Sequence, residues 1–321
     1  MTDTGPLFVS SGDLVSDRRY KAAVELAARG DFAAAADVLT QTVGAAPGFA
    51  TAWFALGAIR DQLGDRDGAV AAFCAASRAD PEDYHGARLQ LARLGAGAET
   101  PAMTEPYVRR LFDQYAGRYD AALTEHLHYR GPAILRDAVT SALERSGQPM
   151  HFESLLDLGC GTGLAGEVFR PFAARLVGVD LSAAMIARAK AKGGYDRLVV
   201  GNLAALLSDE IAKAAQYDLV LAADVFVYVS DLAPVLADIA RVLASRGVVA
   251  FTVETHSGAG VVLLPTLRFA HSESYLRDAM AVAGLELLAL EQAAIRTEKG
   301  APVAGLVVVA ARDGTGESQV G

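Results

Sequence analysis

The sequence predicts a two-part protein: an all-α segment built from a helical repeat, then a doubly wound α/β domain whose seven-stranded sheet ends in an antiparallel C-terminal hairpin. Three observations predict it. Residues 16–83 repeat with a period of 34, residues 154–312 alternate apolar runs with amphipathic stretches, and a glycine cluster follows the first of those runs. At 321 residues with 52% hydrophobic side chains, the chain is long enough to bury two cores.

The repeat can be counted residue by residue. Gly30-Asp31 recurs at Gly64-Asp65, Ala35 at Ala69 and Pro47 at Pro81, each 34 positions on. In the second unit Trp53, Leu56, Gly57, Ala69, Phe73, Ala76 and Pro81 form a pattern that resembles the tetratricopeptide repeat, with small residues where paired helices approach closely. The first unit has Arg19 where the tryptophan would stand. The stretch from Tyr84, "YHGARLQLARLG", reads as the start of a third unit or as a capping helix. Expected boundaries are a disordered N-terminus at 1–15, the tetratricopeptide domain at 16–98, a linker and helical lid at 99–150, the α/β core at 151–312 and a flexible tail at 313–321. The linker "GAGAETPAMTEP" has no apolar periodicity, and helical spacing resumes from Tyr107.

Bulk properties narrow the function. A net charge of −9 argues against a broad nucleic-acid surface, which needs clustered Lys and Arg, although a local basic patch is compatible with it. The longest apolar run, "LVLAADVFVYV" from Leu219, contains Asp224 and falls short of the roughly 20 residues of a membrane span. It reads as a buried strand. No basic segment followed by an apolar block opens the chain, so no secretory signal is read. Cys74 and Cys160 are too few for a disulfide framework or a cysteine-rich zinc site, which favours the cytoplasm and predicts no metal.

The strand-like runs are "SLLDLG", "RLVGVDLS", "RLVVGNL", "YDLVLAADV", "GVVAFTVE", "LELLALEQAAIR" and "GLVVVAAR". Amphipathic stretches such as "AAMIARAKAK" and "LAPVLADIARVLA" separate the earlier ones, as parallel crossovers require. Only the turn "TEKGAP", Thr297 to Pro302, separates the last two, so they should pair antiparallel.

The segment "GTGLAG", Gly161 to Gly166, satisfies the G-x-G-x-x-G pattern of dinucleotide loops, which alone is weak. Two features count against NAD chemistry. None of the ten tyrosines has Lys four residues on, as a short-chain dehydrogenase needs, and no second catalytic domain follows the sheet. The longer pattern "LLDLGCGTG" followed by "VGVDLSAAMIARA" resembles the class I S-adenosylmethionine-dependent methyltransferases. The resemblance implies a Rossmann-like sheet and S-adenosylmethionine as cofactor. Gly159, Gly161 and Gly163 would admit its methionine part, with Cys160 as a small filler of the cradle, and Asp157 would hold its amino group directly or through water. Asp180 would accept from the ribose hydroxyls, and Leu181 and Met185 would pack on the adenine. Asn202, followed by Leu203, stands where many members carry an Asp that accepts from the adenine amine, and Asp224 would lie beneath the transferred methyl.

The segments "YVRRLFDQYAGRYDAAL", "LRFAHSESYLRDAM" and "IRTEKGAPVAGLVVVAAR", after the repeats, resemble a bacterial group of predicted methyltransferases with N-terminal tetratricopeptide repeats. The stretch "LFDQYAGRYD" is also similar to the helical lid of the ubiquinone/menaquinone and malonyl-carrier-protein methyltransferases. That likeness makes Tyr107, Tyr115 and Tyr119 acceptor-pocket candidates and gives Arg118 an anion to meet. Phe226 and Tyr228 would add apolar surface. Among six histidines, His256 after the fifth strand and His271 before a helix are the candidate proton acceptors, and capping or loop hydrogen bonds explain both equally well. His126 and His128, two apart on a helix, point to different sides and make no metal pair. His85 falls in the repeats and His151 before the first strand.

The leading expectation is methyl transfer to an O or N atom of a small, partly apolar molecule. Two alternatives stand beside it: a protein or carrier-protein-bound substrate recruited by the repeats, and a non-catalytic assembly module that binds the cofactor for stability, with self-association through the repeat helices.

Overall fold

The 34-residue sequence period becomes a structural one. In a computed structural model describing residues 8–117, 129–298 and 300–312, contacts divide the chain into a first unit, Met1–Tyr107 with Leu263–Leu267, and a second, Val108–Val262 with Arg268–Gly321. The first unit holds helices α1 (Leu14–Ala28), α2 (Phe32–Ala45), α3 (Ala50–Gln62), α4 (Arg66–Ala79) and α5 (Ala87–Arg93). Helix α4 is α2 displaced by 34 residues, and both begin alike. Gly30 and Gly64, at φ of +84° and +78°, reverse the chain in the left-handed region. The Asp31 and Asp65 carboxylates then accept from the Ala34 and Gly68 N–H groups and cap the new helix.

Close approach explains the small residues. A Cβ on Gly57 of α3 would stand 2.7 Å from the Phe73 ring of α4, so only glycine lets that pair close. Ala69, Phe73 and Ala76 of α4 then bury against Ala87 and Leu91 of α5, which covers the end of the array.

The second unit contains α6 (Glu105–Tyr115), which runs across the division, α7 (Gly131–Arg145), and an α/β alternation. Its elements are β1 (Phe152–Leu158), α8 (Leu164–Phe169), β2 (Ala173–Asp180), α9 (Ala183–Lys192), β3 (Arg197–Val200), α10 (Leu203–Ala212), β4 (Tyr217–Ala222), α11 (Ala233–Val242) and β5 (Leu243–Glu254). Then come β6 (Val261–Leu263), β7 (Phe269–His271), α12 (Glu273–Val282), β8 (Leu285–Glu298) and β9 (Ala301–Arg312). Strands β3-β2-β1-β4-β5 are parallel, and β9 joins β5 antiparallel and carries β8 antiparallel at its side.

Period-2 alternation splits the strand side chains between two cores. Leu156, Leu158, Val220, Ala222, Val249 and Phe251 face α10, α11 and α12, whereas Leu155, Leu219, Leu221, Val248 and Ala250 face α7 and α8. Burial on both faces is why these strands read as continuous apolar runs. The order reverses between β1 and β4, and their carboxyl ends open the crevice where doubly wound sheets bind ligands.

The seven sequence-predicted strands fall where expected, but among the described residues the sheet has nine. The two additions, β6 and β7, are three residues each, too short to show periodicity. β7 pairs parallel to β5 through Glu254 and Ala270. Strand β5 also starts earlier, at Leu243, within a stretch with helical spacing, because Arg246 at φ +62° and a bulge opposite Tyr217 and Leu219 admit an irregular first turn.

Gly57→Ala should destabilise the first unit by about 1–3 kcal/mol through overpacking. Urea denaturation followed by fluorescence of Trp53, the single tryptophan, in α3, checks this.

Candidate functional site

The glycine loop joins β1 to α8 and is left-handed at Gly159, Gly161 and Gly163, with φ of +64°, +54° and +91°. At Gly159 a Cβ would also meet Val225 Cγ2 at 2.5 Å, so glycine is required twice over. Asp180, ending β2, anchors this loop: its Oδ2 accepts from the Gly161 N–H (3.0 Å) and its Oδ1 from the Ser182 N–H (2.8 Å). Ser182 caps α9 by accepting from the Met185 N–H (3.1 Å), and its hydroxyl donates to Asp113 of α6. Burial pushes the Asp180 carboxyl up to about 6, against the two backbone N–H groups that favour its anion.

Asp157, the penultimate residue of β1, is 1% exposed. The Tyr195 hydroxyl donates to its Oδ2 (2.6 Å) and accepts from the Gly166 N–H (3.1 Å). Its Oδ1 is buried with no hydrogen-bond partner among the described residues. Burial pushes this carboxyl up to about 7, with Tyr195 opposing the shift and Asp180 adding to it. Asp157, Gly159, Cys160 and Gly161 line a small cavity closed by Tyr129 and Pro132. Burial also drives the Cys160 thiol well above its usual range.

At the end of β4, Asp224 adopts φ +59°, and its N–H donates to the buried Thr252 hydroxyl (2.9 Å). Its carboxylate pairs with Arg296 Nη1 at 2.6 Å. Arg296, from β8, is 2% exposed and also binds Glu254 and Glu298. Arg268 pairs with Glu298 and lies 3.5 Å from Glu254. Two guanidinium groups thus hold three carboxylates at the carboxyl end of the sheet, and this network was not singled out from sequence. Its only sequence signal is Arg296 and Glu298, two apart on one face of a strand. Burial pushes Glu254 and the Tyr228 phenol up; it also opposes ionisation of Glu298, but Arg268 and Arg296 outweigh it and hold that carboxyl low. Phe112 of α6 packs edge-on against Tyr228, ring centroids 5.2 Å apart.

The remaining sequence candidates separate. His256 lines a cavity of about 620 Å³ together with Thr255, Glu273, Ser274 and Gln292. Its Nδ1 accepts from the Gly258 N–H (3.1 Å) and its Nε2 lies 3.2 Å from the Gly260 carbonyl. His271 is corrected: it is 0% exposed, its Nε2 bonds the Val229 carbonyl (3.0 Å), and burial pulls it down to about 4. A neutral imidazole sealed in the core cannot meet a substrate proton.

Met185 and Phe226 are corrected too, each 0% exposed. Met185 therefore presents no surface to an adenine, and Phe226 packs on Phe251, centroids 5.1 Å apart. Tyr107 belongs to the first unit, where its ring fills the space a Cβ on Gly86 would need. Leu181 and Tyr115 are half-buried. Asn202 caps α10, its Oδ1 accepting from the Ala204 N–H (2.8 Å), and Leu203 opens that helix. Arg118, Tyr119, His126 and His128 lie outside the described residues. Among the described residues, no helix is long and apolar enough to cross a membrane, and no His/Cys/Asp/Glu group of three or more has metal-binding geometry.

Residues 156–251, from β1 through most of β5, match the protein family described as "Methyltransferase domain". That segment forms most of the parallel part of the Rossmann-like α/β sheet. The chain is 32% identical over 119 residues to ubiquinone biosynthesis O-methyltransferase of Rhodopseudomonas palustris (strain TIE-1), covering 36% of this chain and 47% of that protein. It is 37% identical over 108 residues to human methyltransferase-like protein 27, covering 33% and 42%. The chain thus spans about half the length, or less, of these curated relatives. The magnesium protoporphyrin IX methyltransferase (ChlM) from Synechocystis PCC 6803, solved with bound SAH, shares the fold at TM-score 0.50 and 18% identity, over 65% of this chain and 99% of that one.

Two stability predictions follow from the buried charges. Asp157→Asn should stabilise the unliganded protein by about 1–3 kcal/mol at pH 8, because the wild-type carboxyl must ionise inside the fold. With a folded pKa raised to about 7 from 3.8, wild-type stability is full below about 4 and lost as pH rises to 7, so the gain should grow over that window and level off above it in thermal melts. Arg296→Met takes from Asp224 its ion-pair partner and leaves Glu254 only Arg268, 3.5 Å away, and should cost about 3–5 kcal/mol in denaturant unfolding followed by circular dichroism.

Proposed function

We propose that this protein is an S-adenosylmethionine-dependent methyltransferase acting on an O or N atom of a small, partly apolar molecule. The observation that carries the reading is the buried Asp157 Oδ1, without a partner among the described residues, inside a left-handed glycine cradle and within the segment that matches the methyltransferase family. The residues present fit the cofactor. A buried acceptor needs a donor, and the cofactor's ammonium group is one. The positive-φ glycines bring backbone close to its methionine part. Each Asp180 oxygen already accepts one N–H and keeps a second lone pair for a ribose hydroxyl. Leu181, Asn202 and Leu203 are the residues left to border the adenine, since Met185 is core.

When bound, the cofactor supplies a methyl group on a sulfonium, a carbon already activated for in-line displacement. The chain's task is alignment and exclusion of water. Asp224, fixed by Thr252 and Arg296, gives a rigid floor at the end of β4. Tyr228, Phe112 and Tyr115 supply aromatic surface for an apolar acceptor, and His256 is the candidate histidine that lines open space. The likeness to ubiquinone biosynthesis O-methyltransferase supports an oxygen acceptor. Composition and the two cysteines support a cytoplasmic setting.

The N-terminal helical pairs are tetratricopeptide repeats in this reading, supported by the exact 34-residue displacement of α2 and α4 and of their caps. Such repeats favour, as a second reading, a protein or carrier-bound substrate, or self-association.

Calorimetric titration of the full chain with S-adenosylmethionine tests the first reading. Binding should be at least about tenfold weaker in Asp180→Ala, which loses the ribose acceptor and the anchor of Gly161. Absence of wild-type binding, or binding of NAD instead, overturns it.

A further inference from the structure

Tyr195 lies outside every motif the sequence offers, in the segment between α9 and β3, yet it touches the cradle at three levels. Its ring occupies a notch made by glycines: a Cβ on Gly178 would stand 2.8 Å from Tyr195 Cε1, one on Gly163 3.2 Å from Cε2, and one on Gly166 would collide with the ring. The last glycine of the G-x-G-x-x-G pattern therefore makes room for a side chain of this protein. The Tyr195 hydroxyl has a single proton. It accepts from the Gly166 N–H, a first-turn donor of α8, and donates its one hydrogen bond to Asp157 Oδ2. The neighbouring Asp196 pins the segment, accepting from Arg170 (2.6 Å) and from the Leu176 N–H (2.7 Å).

We propose that Tyr195 is a positioning residue for cofactor binding, which holds one oxygen of the Asp157 carboxylate so that the other is left to receive the ligand's ammonium group. The proposal rests on the functional reading above. Tyr195 touches no reacting atom; it acts through Asp157. A hydrogen bond donated to a carboxylate favours its ionised form, and only that form pairs with a cation. The other ionisable groups facing Asp157 are Asp180 from β2 and Cys160 from the loop, both of which oppose its charge if ionised, and Tyr129, which lines the cavity. Tyr195 is the neighbour that opposes the upward shift caused by burial.

The test is the affinity of the full chain, Tyr195→Phe and Asp157→Asn for S-adenosylhomocysteine, measured calorimetrically from pH 6 to 9. The phenyl ring keeps the notch filled. Tyr195→Phe should bind about tenfold more weakly than wild type at pH 7, and the ratio should shrink to about twofold or less at pH 9, where both carboxyls ionise. The ligand's own titration cancels in that ratio. Asp157→Asn should lose the wild-type pH dependence near 7. Should Tyr195→Phe fail to fold, wild-type protein made with 3-fluorotyrosine decides: its more acidic hydroxyl donates more strongly, so the midpoint of binding should move to lower pH. A Tyr195→Phe loss that is constant with pH, or an unmoved midpoint with fluorotyrosine, assigns the residue to packing and overturns the proposal. Wild-type protein that binds no S-adenosylhomocysteine at any pH overturns the functional reading itself, and the two failures are thereby distinguished.

Discussion

A carboxylate held inside the protein at the end of the central strand is the constraint to which the second unit is fitted. Asp157 is 1% exposed, and an ionised group taken out of water is tolerated only where hydrogen bonds or counter-charges replace the solvent. One oxygen is satisfied by Tyr195, which in turn requires glycine at 166 and 178 for its ring. The other faces no partner among the described residues. Loop, strand and tyrosine are therefore a single device, with one buried acceptor left over among the described residues.

A second device at the same edge of the sheet is satisfied from within. Arg296 and Arg268 reach from the hairpin and from β7's approach to hold Asp224, Glu254 and Glu298. Packing at β4's end is thus fixed by charges drawn from four separate strand or loop positions. Such a network gives little net stability over an apolar core, but it sets the geometry rigidly, because breaking one pair leaves another charge exposed to low dielectric.

The sheet itself and the glycine cradle were legible in the sequence because both rest on local regularities. Strands buried on two faces must be continuously apolar, crossover helices must be amphipathic, and a chain leaving a strand to approach a ligand must use glycine. Asp157 and Asp180 stand out in the sequence because their position relative to the glycines is itself a pattern. Tyr195, Asp113 and the Arg296 network were not, because each contact joins residues far apart in the chain, with no period to betray it: 38 positions separate Tyr195 from Asp157, 69 separate Ser182 from Asp113, and 72 separate Arg296 from Asp224.

By itself the sequence determined the order of elements, the 34-residue helical period, the antiparallel end of the sheet and the two acids flanking the glycine loop, since all of these follow from backbone periodicity and turn chemistry. The tertiary structure alone decided which polar and aromatic side chains face a cavity and which face the core. Met185, Phe226 and His271 look in sequence like site residues and are fully buried, whereas His256 lines open space. The physical reason is that a side chain's direction at the end of a strand or in a short turn depends on the neighbouring strand's register and on what packs against it. Those are properties of contacts across the sheet, not of the segment that carries the residue.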